Sequence, residues 1–252
     1  MTLGAAKKRG PTAAALIVGA ELLSGKIADQ NLVVLAQTLR SLGVTLKYAL
    51  TVTDDLPTIA REVRRASRSE DWVFTSGGVG PTHDDLTLLG VARAFRKRLH
   101  RSGELEQLIR AAYGDAVREG HLSMGSIPEC AMLERTEGVP WPAIRVRNVW
   151  VLPGVPQVFA MKMRIVSATL QRAARPFSSS ALYVRLDEGE IKDALDEVVL
   201  ANPDVQIGSY PRWGDPVRKT MITFDSRDER ACAAARDALV RALPADSVVA
   251  AP

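Results

Sequence analysis

The stretch Gly77-Gly78-Val79-Gly80-Pro81-Thr82-His83-Asp84-Asp85 concentrates residue types that bind phosphate and metal. Its glycines let the backbone reverse and leave N–H groups uncovered, and the helix pattern that follows adds free N–H groups and a positive dipole end. That combination cradles an anion. Asp84 and Asp85 would repel a phosphate directly, but they suit a hard divalent cation that bridges to one. Gly77, Gly78, Gly80 and Thr82 are therefore read as phosphate-holding positions, and Asp84 and Asp85 as metal ligands. Asp85 alone is also well placed to cap the next helix.

Three other loops carry related chemistry. Gly19-Ala20-Glu21-Leu22-Leu23-Ser24-Gly25-Lys26-Ile27-Ala28-Asp29-Gln30-Asn31 sets a carboxylate between glycines and ends in an acid and an amide. Thr53-Asp54-Asp55 pairs two carboxylates, and Pro153-Gly154-Val155-Pro156 offers backbone donors at a turn. In these loops Asp54 or Glu21 would orient or deprotonate an attacking water. Taken alone, Asp29 and Asp54 read equally well as helix N-caps, and Pro153-Gly154 as plain turn chemistry.

Each loop follows an apolar run. Ala13 to Val18, Thr45 to Val52, Trp72 to Thr75 and Arg145 to Leu152 read as strands, and the residues between them repeat apolar positions at helical spacing. Such faces are Leu32, Leu35, Ala36, Leu39 and Leu42 in a helix from Asp29 to Gly43, then Leu56, Ile59, Ala60 and Val63. Leu88 to Phe95, Leu105 to Ala116 and Val155 to Leu170 continue the pattern. The alternation predicts an α/β fold, a three-layer α/β/α sandwich over about residues 12–174, with the four loops at the carboxyl ends of its strands. Arg175 to Ser180 reads as a linker. Residues 181–252 read as a second, smaller α+β domain: strands Ala181 to Leu186, Val205 to Tyr210 and Val217 to Phe224, helices Gly189 to Leu200 and Asp228 to Leu243. Residues 1–11 lack periodicity and are expected to form a flexible tail.

The composition excludes several classes. With 252 residues, 46% hydrophobic, the chain has material for a large and a small core. No apolar run approaches the roughly 18 residues of a membrane span, and the first residues carry no export-type apolar stretch, so a cytoplasmic protein without a membrane partner is expected. Cys130 and Cys232 match no metal or redox spacing. The net charge of +4 comes largely from Arg61 to Arg68 and Arg93 to Arg101. With aromatics at 5% and no RNA-module signature, these clusters read as solvated helix faces, not as a nucleic-acid surface. Their field would still favour an anionic small substrate.

The first loop, the central loop through Leu86-Thr87, and Leu152-Pro153-Gly154-Val155-Pro156 together resemble the amino-terminal domain of the CinA family, which has the MoaB/Mog molybdopterin-binding fold. Asn148-Val149-Trp150-Val151-Leu152 and Ile207-Gly208-Ser209-Tyr210-Pro211 resemble still more the molybdopterin-binding-like domain of FAD synthases. The likeness spans about residues 12–250. It implies a nucleotide or pterin phosphate held at Gly19, Ser24, Gly25, Asn31, Gly77, Gly78, Gly80, Thr82, Thr87, Pro153 and Gly154. It also implies catalytic roles for Asp54 and for Asp84 or Asp85. Relatives in the CinA and FAD-synthase branch hydrolyse the pyrophosphate of FAD or ADP-ribose with magnesium, manganese or cobalt and with potassium, whereas Mog-type relatives handle molybdopterin. A small-molecule partner and a homo-oligomer, a dimer before others, are expected. Two positions depart from the pattern: Ala20 stands where a polar residue usually precedes the glutamate, and Arg96 where a glycine usually closes the helix. The amidase domain of full-length CinA is absent from the chain, so nicotinamide-nucleotide deamidation is not expected.

Overall fold

The computed structural model describes residues 10–171 and 176–250. Most of the expected tail and Arg175 of the expected linker lie outside the described residues. The chain divides into two compact units, Met1–Ala174 and Arg175–Pro252.

In the first unit the elements run β1 (Thr12–Val18), α1 (Ala20–Leu23), α2 (Asn31–Ser41), β2 (Thr45–Val52), α3 (Leu56–Ser69), β3 (Trp72–Ser76), α4 (Thr87–Ala94), β4 (Leu99–Arg101), α5 (Gly103–Tyr113), α6 (Glu119–Ser123), β5 (Ser126–Pro128), β6 (Ala131–Glu134), β7 (Ala143–Val146), β8 (Val149–Leu152) and α7 (Pro156–Leu170). The main sheet has the order β2-β1-β3-β8-β7-β6. Its first four strands are parallel, with Val18 beside Val52, Ile17 beside Ser76 and Ser76 beside Leu152. All four chemistry-bearing loops therefore leave the sheet at one edge. Successive residues of a strand face opposite ways. Ala13, Ala15 and Ile17 of β1 pack with Leu35 and Leu39 of α2 and with Phe159 and Val166 of α7, while Ala14, Leu16 and Val18 pack with Ile59, Val63, Val91 and Leu105. The two cores make the three-layer α/β/α sandwich.

The sheet is mixed where the sequence reads a single parallel strand. Arg145 to Leu152 is in fact a hairpin: β7 and β8 pair antiparallel around Arg147-Asn148, and β6 adds a further antiparallel strand. The unbroken apolar alternation hides the turn, and Arg147 takes φ 56 where a glycine or asparagine would announce it. A second difference concerns the two aspartates before α3. Asp55 is the N-cap, accepting from Thr58 N at 2.9 Å, and Asp54 is not a cap.

The second unit comprises β9 (Ser178–Val184), α8 (Glu188–Ala201), β10 (Gln206–Pro211), β11 (Thr220–Ser226), α9 (Glu229–Ala242) and β12 (Val248–Val249). Its antiparallel sheet has the order β10-β11-β9-β12, and α8 and α9 cover one apolar cluster that includes Ile191, Ile222, Phe224 and Leu239. Ser178 to Ser180, read from sequence as linker, are strand residues paired with Phe224 to Ser226; polar composition alone concealed the ladder. No helix among the described residues is long and apolar enough to cross a membrane.

Gly90 sets the approach of α4 to α3, since a Cβ there would lie 2.4 Å from Ile59 Cγ2. Alanine in a helix is favoured over glycine by about 1 kcal/mol, but overpacking a tight contact costs about 1–3 kcal/mol. Gly90→Ala is therefore expected to lower stability in urea unfolding, and a stabilised variant would show that the two helices have room to part.

Candidate functional site

The four loops open onto one cavity of about 960 Å³. Glu21, Asp54 and Asp84 reach it from three different loops, beside Gly77 to Thr82, Asp85 and Pro153 to Pro156. Its lining also includes the apolar side chains of Ile109, Tyr113, Met124, Trp141 and Met161.

Backbone geometry comes first. Gly77 has φ 95, and a Cβ on it would lie 2.2 Å from Val18 O, so no other residue fits where β3 passes β1. Gly154 packs on the other side less tightly, its would-be Cβ 3.3 Å from Gly77 Cα. Thr87, fully buried, ties the start of α4 to the loop through Oγ1 donating to Gly77 O at 2.8 Å and its N–H to Gly78 O at 2.9 Å. Asn31, 3% exposed, is the clip between loops: its Nδ2 donates to Ser76 Oγ at 2.9 Å and to Gly154 O at 2.8 Å. Asn31 Oδ1 is buried without a partner among the described residues.

The central loop distributes its donors differently from the sequence reading. Gly77 N donates to Leu152 O. Gly80 N and Thr82 N both donate to Asp85, at 2.6 and 2.8 Å, and Thr82 Oγ1 lies 2.6 Å from Asp85 Oδ2 and 2.5 Å from Asp84 Oδ1. Asp85 is thus a strut that folds the loop over itself. It caps no helix, and both of its oxygens are engaged. Among the described residues, the N–H groups of Gly78, Val79, Gly154 and Val155 at the cavity have no acceptor, and α7 starts immediately beyond with Pro156 at its first position. N–H groups without acceptors therefore lie on both the central and the fourth loop.

Among the carboxylates, Asp84 is exposed, and hydrogen bonds from Thr82 and from its own backbone hold its pKa below the usual range. Asp54, which lines the cavity, accepts from Ala20 N through Oδ2 at 2.9 Å, and its Oδ1 has no donor among the described residues. Glu21 folds back over Gly19, where a Cβ would meet its Oε1 at 2.5 Å. Asp29 caps α2, accepting from Asn31 N and Leu32 N at 3.1 Å each. Among the described residues no group of three or more His, Cys, Asp or Glu side chains converges on a metal position. Of the expected binding residues, Gly19, Ser24, Gly25 and Thr87 do not line the cavity; Ser24 Oγ closes the turn after α1 by donating to Glu21 O. Lys162, missed in the sequence, lines the apolar end. Its Nζ donates to Trp141 O at 2.8 Å and to Pro142 O, and burial, reinforced by the Arg135 charge, brings its pKa down to about 8. A lone lysine in an apolar helix face, at Met161-Lys162-Met163, was its only signal.

Residues 14–172 match the family model described as "Probable molybdopterin binding domain", and residues 176–252 match that of the FAD synthase middle domain. The chain belongs to the molybdopterin-binding domain family. A protein of Archaeoglobus fulgidus is 36% identical over 84% of this chain and 89% of its own. A "Probable FAD synthase" of Caenorhabditis briggsae is 34% identical over 90% of this chain and 49% of its own, so the chain spans about half the length of that relative. The crystal structure of a CinA protein of unknown function from Thermoplasma acidophilum aligns with 64% of this chain and 98% of its own, at 27% identity and a TM-score of 0.59. The family and its CinA-like and FAD-synthase-like branch are those the loop motifs resembled.

The Asn31 clip gives the site a direct test. Asn31→Leu keeps the volume but leaves Ser76 and Gly154 O without their donor, and a buried acceptor left unpaired costs about 1–3 kcal/mol. Chemical denaturation is expected to show a loss in that range; unchanged stability would mean that the loops hold each other without it.

Proposed function

We propose that the protein is a metal-dependent nucleotide pyrophosphatase acting on a dinucleotide of the FAD or ADP-ribose type. The observation that carries this reading is the meeting of an anion cradle, three carboxylates from separate loops and an apolar wall at one cavity. The cradle of Gly78, Val79, Gly154 and Val155 N–H groups would accept phosphoryl oxygens, and the apolar wall would take a planar ring, as ligand pockets commonly combine the two. Kinship with a FAD synthase supports this choice of substrate class.

The donor set fits a magnesium-like ion of the usual kind, bound by one or two carboxylates together with substrate oxygens and water. Asp84 is the carboxylate for it, being exposed and held ionised; potassium would be an accessory. Such an ion, when bound, would neutralise developing charge on the phosphates. The chain's own part is positional. Asp54 Oδ1 or Glu21 would take a proton from water as it attacks phosphorus, breaking one P–O bond of the bridge and releasing AMP with FMN or ribose 5-phosphate. Asp85 would hold the loop and nothing more.

A second reading is a protein that binds molybdopterin or a nucleotide without turnover. It is favoured by Asp54 Oδ2 being occupied by Ala20 N, at the position where a polar side chain is replaced by alanine. The purified protein incubated with FAD or ADP-ribose and magnesium, manganese or cobalt is expected to release AMP. Asp84→Ala should reduce the rate by at least about 100-fold with an unchanged melting temperature, a loss on the scale of a catalytic group. Retention of ligand with no AMP under any metal would establish the binding-only reading.

A further inference from the structure

The two arginine clusters, read from sequence as separate solvated faces, converge. On the side of the sheet where β3 and β8 begin, an open pocket of about 500 Å³ is lined by Arg64 and Arg68 of α3, Arg96 after α4 and Arg147 of the β7–β8 turn, and no acidic residue lines it. None of the four has a carboxylate partner among the described residues.

Two of these arginines occupy backbone positions that suit glycine. Arg96 and Arg147 both have φ 56, and among the described residues they are the only non-glycine residues with positive φ. Around Arg96 the chain forms a complete helix-ending motif: Lys97 N donates to Ala92 O at 2.8 Å and Arg96 N to Arg93 O at 3.2 Å, the pattern that places glycine at the left-handed position. Neither left-handed position requires a side chain. What each side chain brings is a guanidinium at the same pocket.

The surroundings hold that arrangement still. Asn148 Nδ2 donates to Ser67 O and Glu70 O at 3.1 and 3.0 Å, and its Oδ1 accepts from Ser67 Oγ at 2.6 Å, which fixes the turn to the end of α3. The Arg147 guanidinium stacks 4.8 Å from the Phe95 ring centroid. Arg64 is engaged by the end of α4, donating from Nε to Ala94 O at 3.2 Å, as cations commonly do at helix carboxyl ends. The Arg68, Arg96 and Arg147 guanidinium groups have no hydrogen-bond acceptor among the described residues. Three guanidinium groups with free donors match the oxygens of more than one phosphate, which they bind in bidentate fashion.

We propose that this pocket binds a small ligand carrying two or more linked phosphate groups, at a site separate from the glycine-loop cavity. Inorganic tripolyphosphate is the probe, titrated by calorimetry at fixed ionic strength against sulfate as control. Arg96→Gly and Arg147→Gly should each raise the dissociation constant at least fivefold. The melting temperature without ligand should hold or rise, by roughly 2–4 °C for a change of this kind in a chain of this size. The double variant should lose binding while AMP release at the other site is unaffected. Arg68→Gln, on a regular exposed helix position, gives an independent reading and should also weaken binding. Undiminished binding in the double variant or in Arg68→Gln would overturn the proposal, as would no binding by the wild type. Displacement of tripolyphosphate by single-stranded oligonucleotide at lower concentration would overturn it too, making the patch a nucleic-acid surface.

Discussion

Where β1, β3 and β8 end, main chain packs on main chain. Gly77 lies so close to Val18 O that no Cβ fits, and Gly154 lies against Gly77. The remainder of the site follows from that contact. With no side chain between them, the central and fourth loops bring Gly78, Val79, Gly154 and Val155, whose N–H groups have no acceptor among the described residues, to one cavity. Asn31 then fastens both to the start of α2 through one buried amide. A parallel sheet supplies this meeting without special construction, because all its strands finish at the same edge.

The two neighbouring acids of the central loop show how a loop separates structure from chemistry. Asp85 accepts two backbone N–H bonds and lies within bonding distance of the Thr82 hydroxyl, so both its oxygens are engaged in shaping the loop. Asp84, one residue earlier, stays exposed and ionised. Thr82 stands between them. The same division recurs at Asp54 and Asp55, with the roles set by which one starts α3: Asp55 caps the helix, and Asp54 turns toward the first loop and the cavity.

The fold and the place of the site were legible because they rest on local pattern. Apolar runs followed by helical spacing marked β1, β2, β3 and the helices after them, and glycine-rich junctions marked the loops. The errors lie where partners are remote or turn chemistry is atypical. Two adjacent aspartates give no local sign of which one caps. Asp85 reaches back five residues to Gly80, which no cap rule anticipates. The β7–β8 turn carries Arg147 at a glycine position, so the run reads as one strand. The apolar lining is assembled from α5, the segment after α6, the Trp141-Pro142 loop and α7, and only the tertiary fold brings them to the same cavity as the glycines. The same holds for the arginine pocket, whose members come from three elements far apart in sequence.

The central claim is that the central and fourth loops together cradle phosphate beside Asp84. A crystal structure of the protein grown with AMP and magnesium tests it most directly. The account predicts phosphate oxygens accepting from the Gly78, Val79, Gly154 or Val155 N–H groups, with the metal on Asp84 and the base against the apolar wall. An empty cradle with AMP bound elsewhere, or a metal held by Asp85 in place of Asp84, would contradict it.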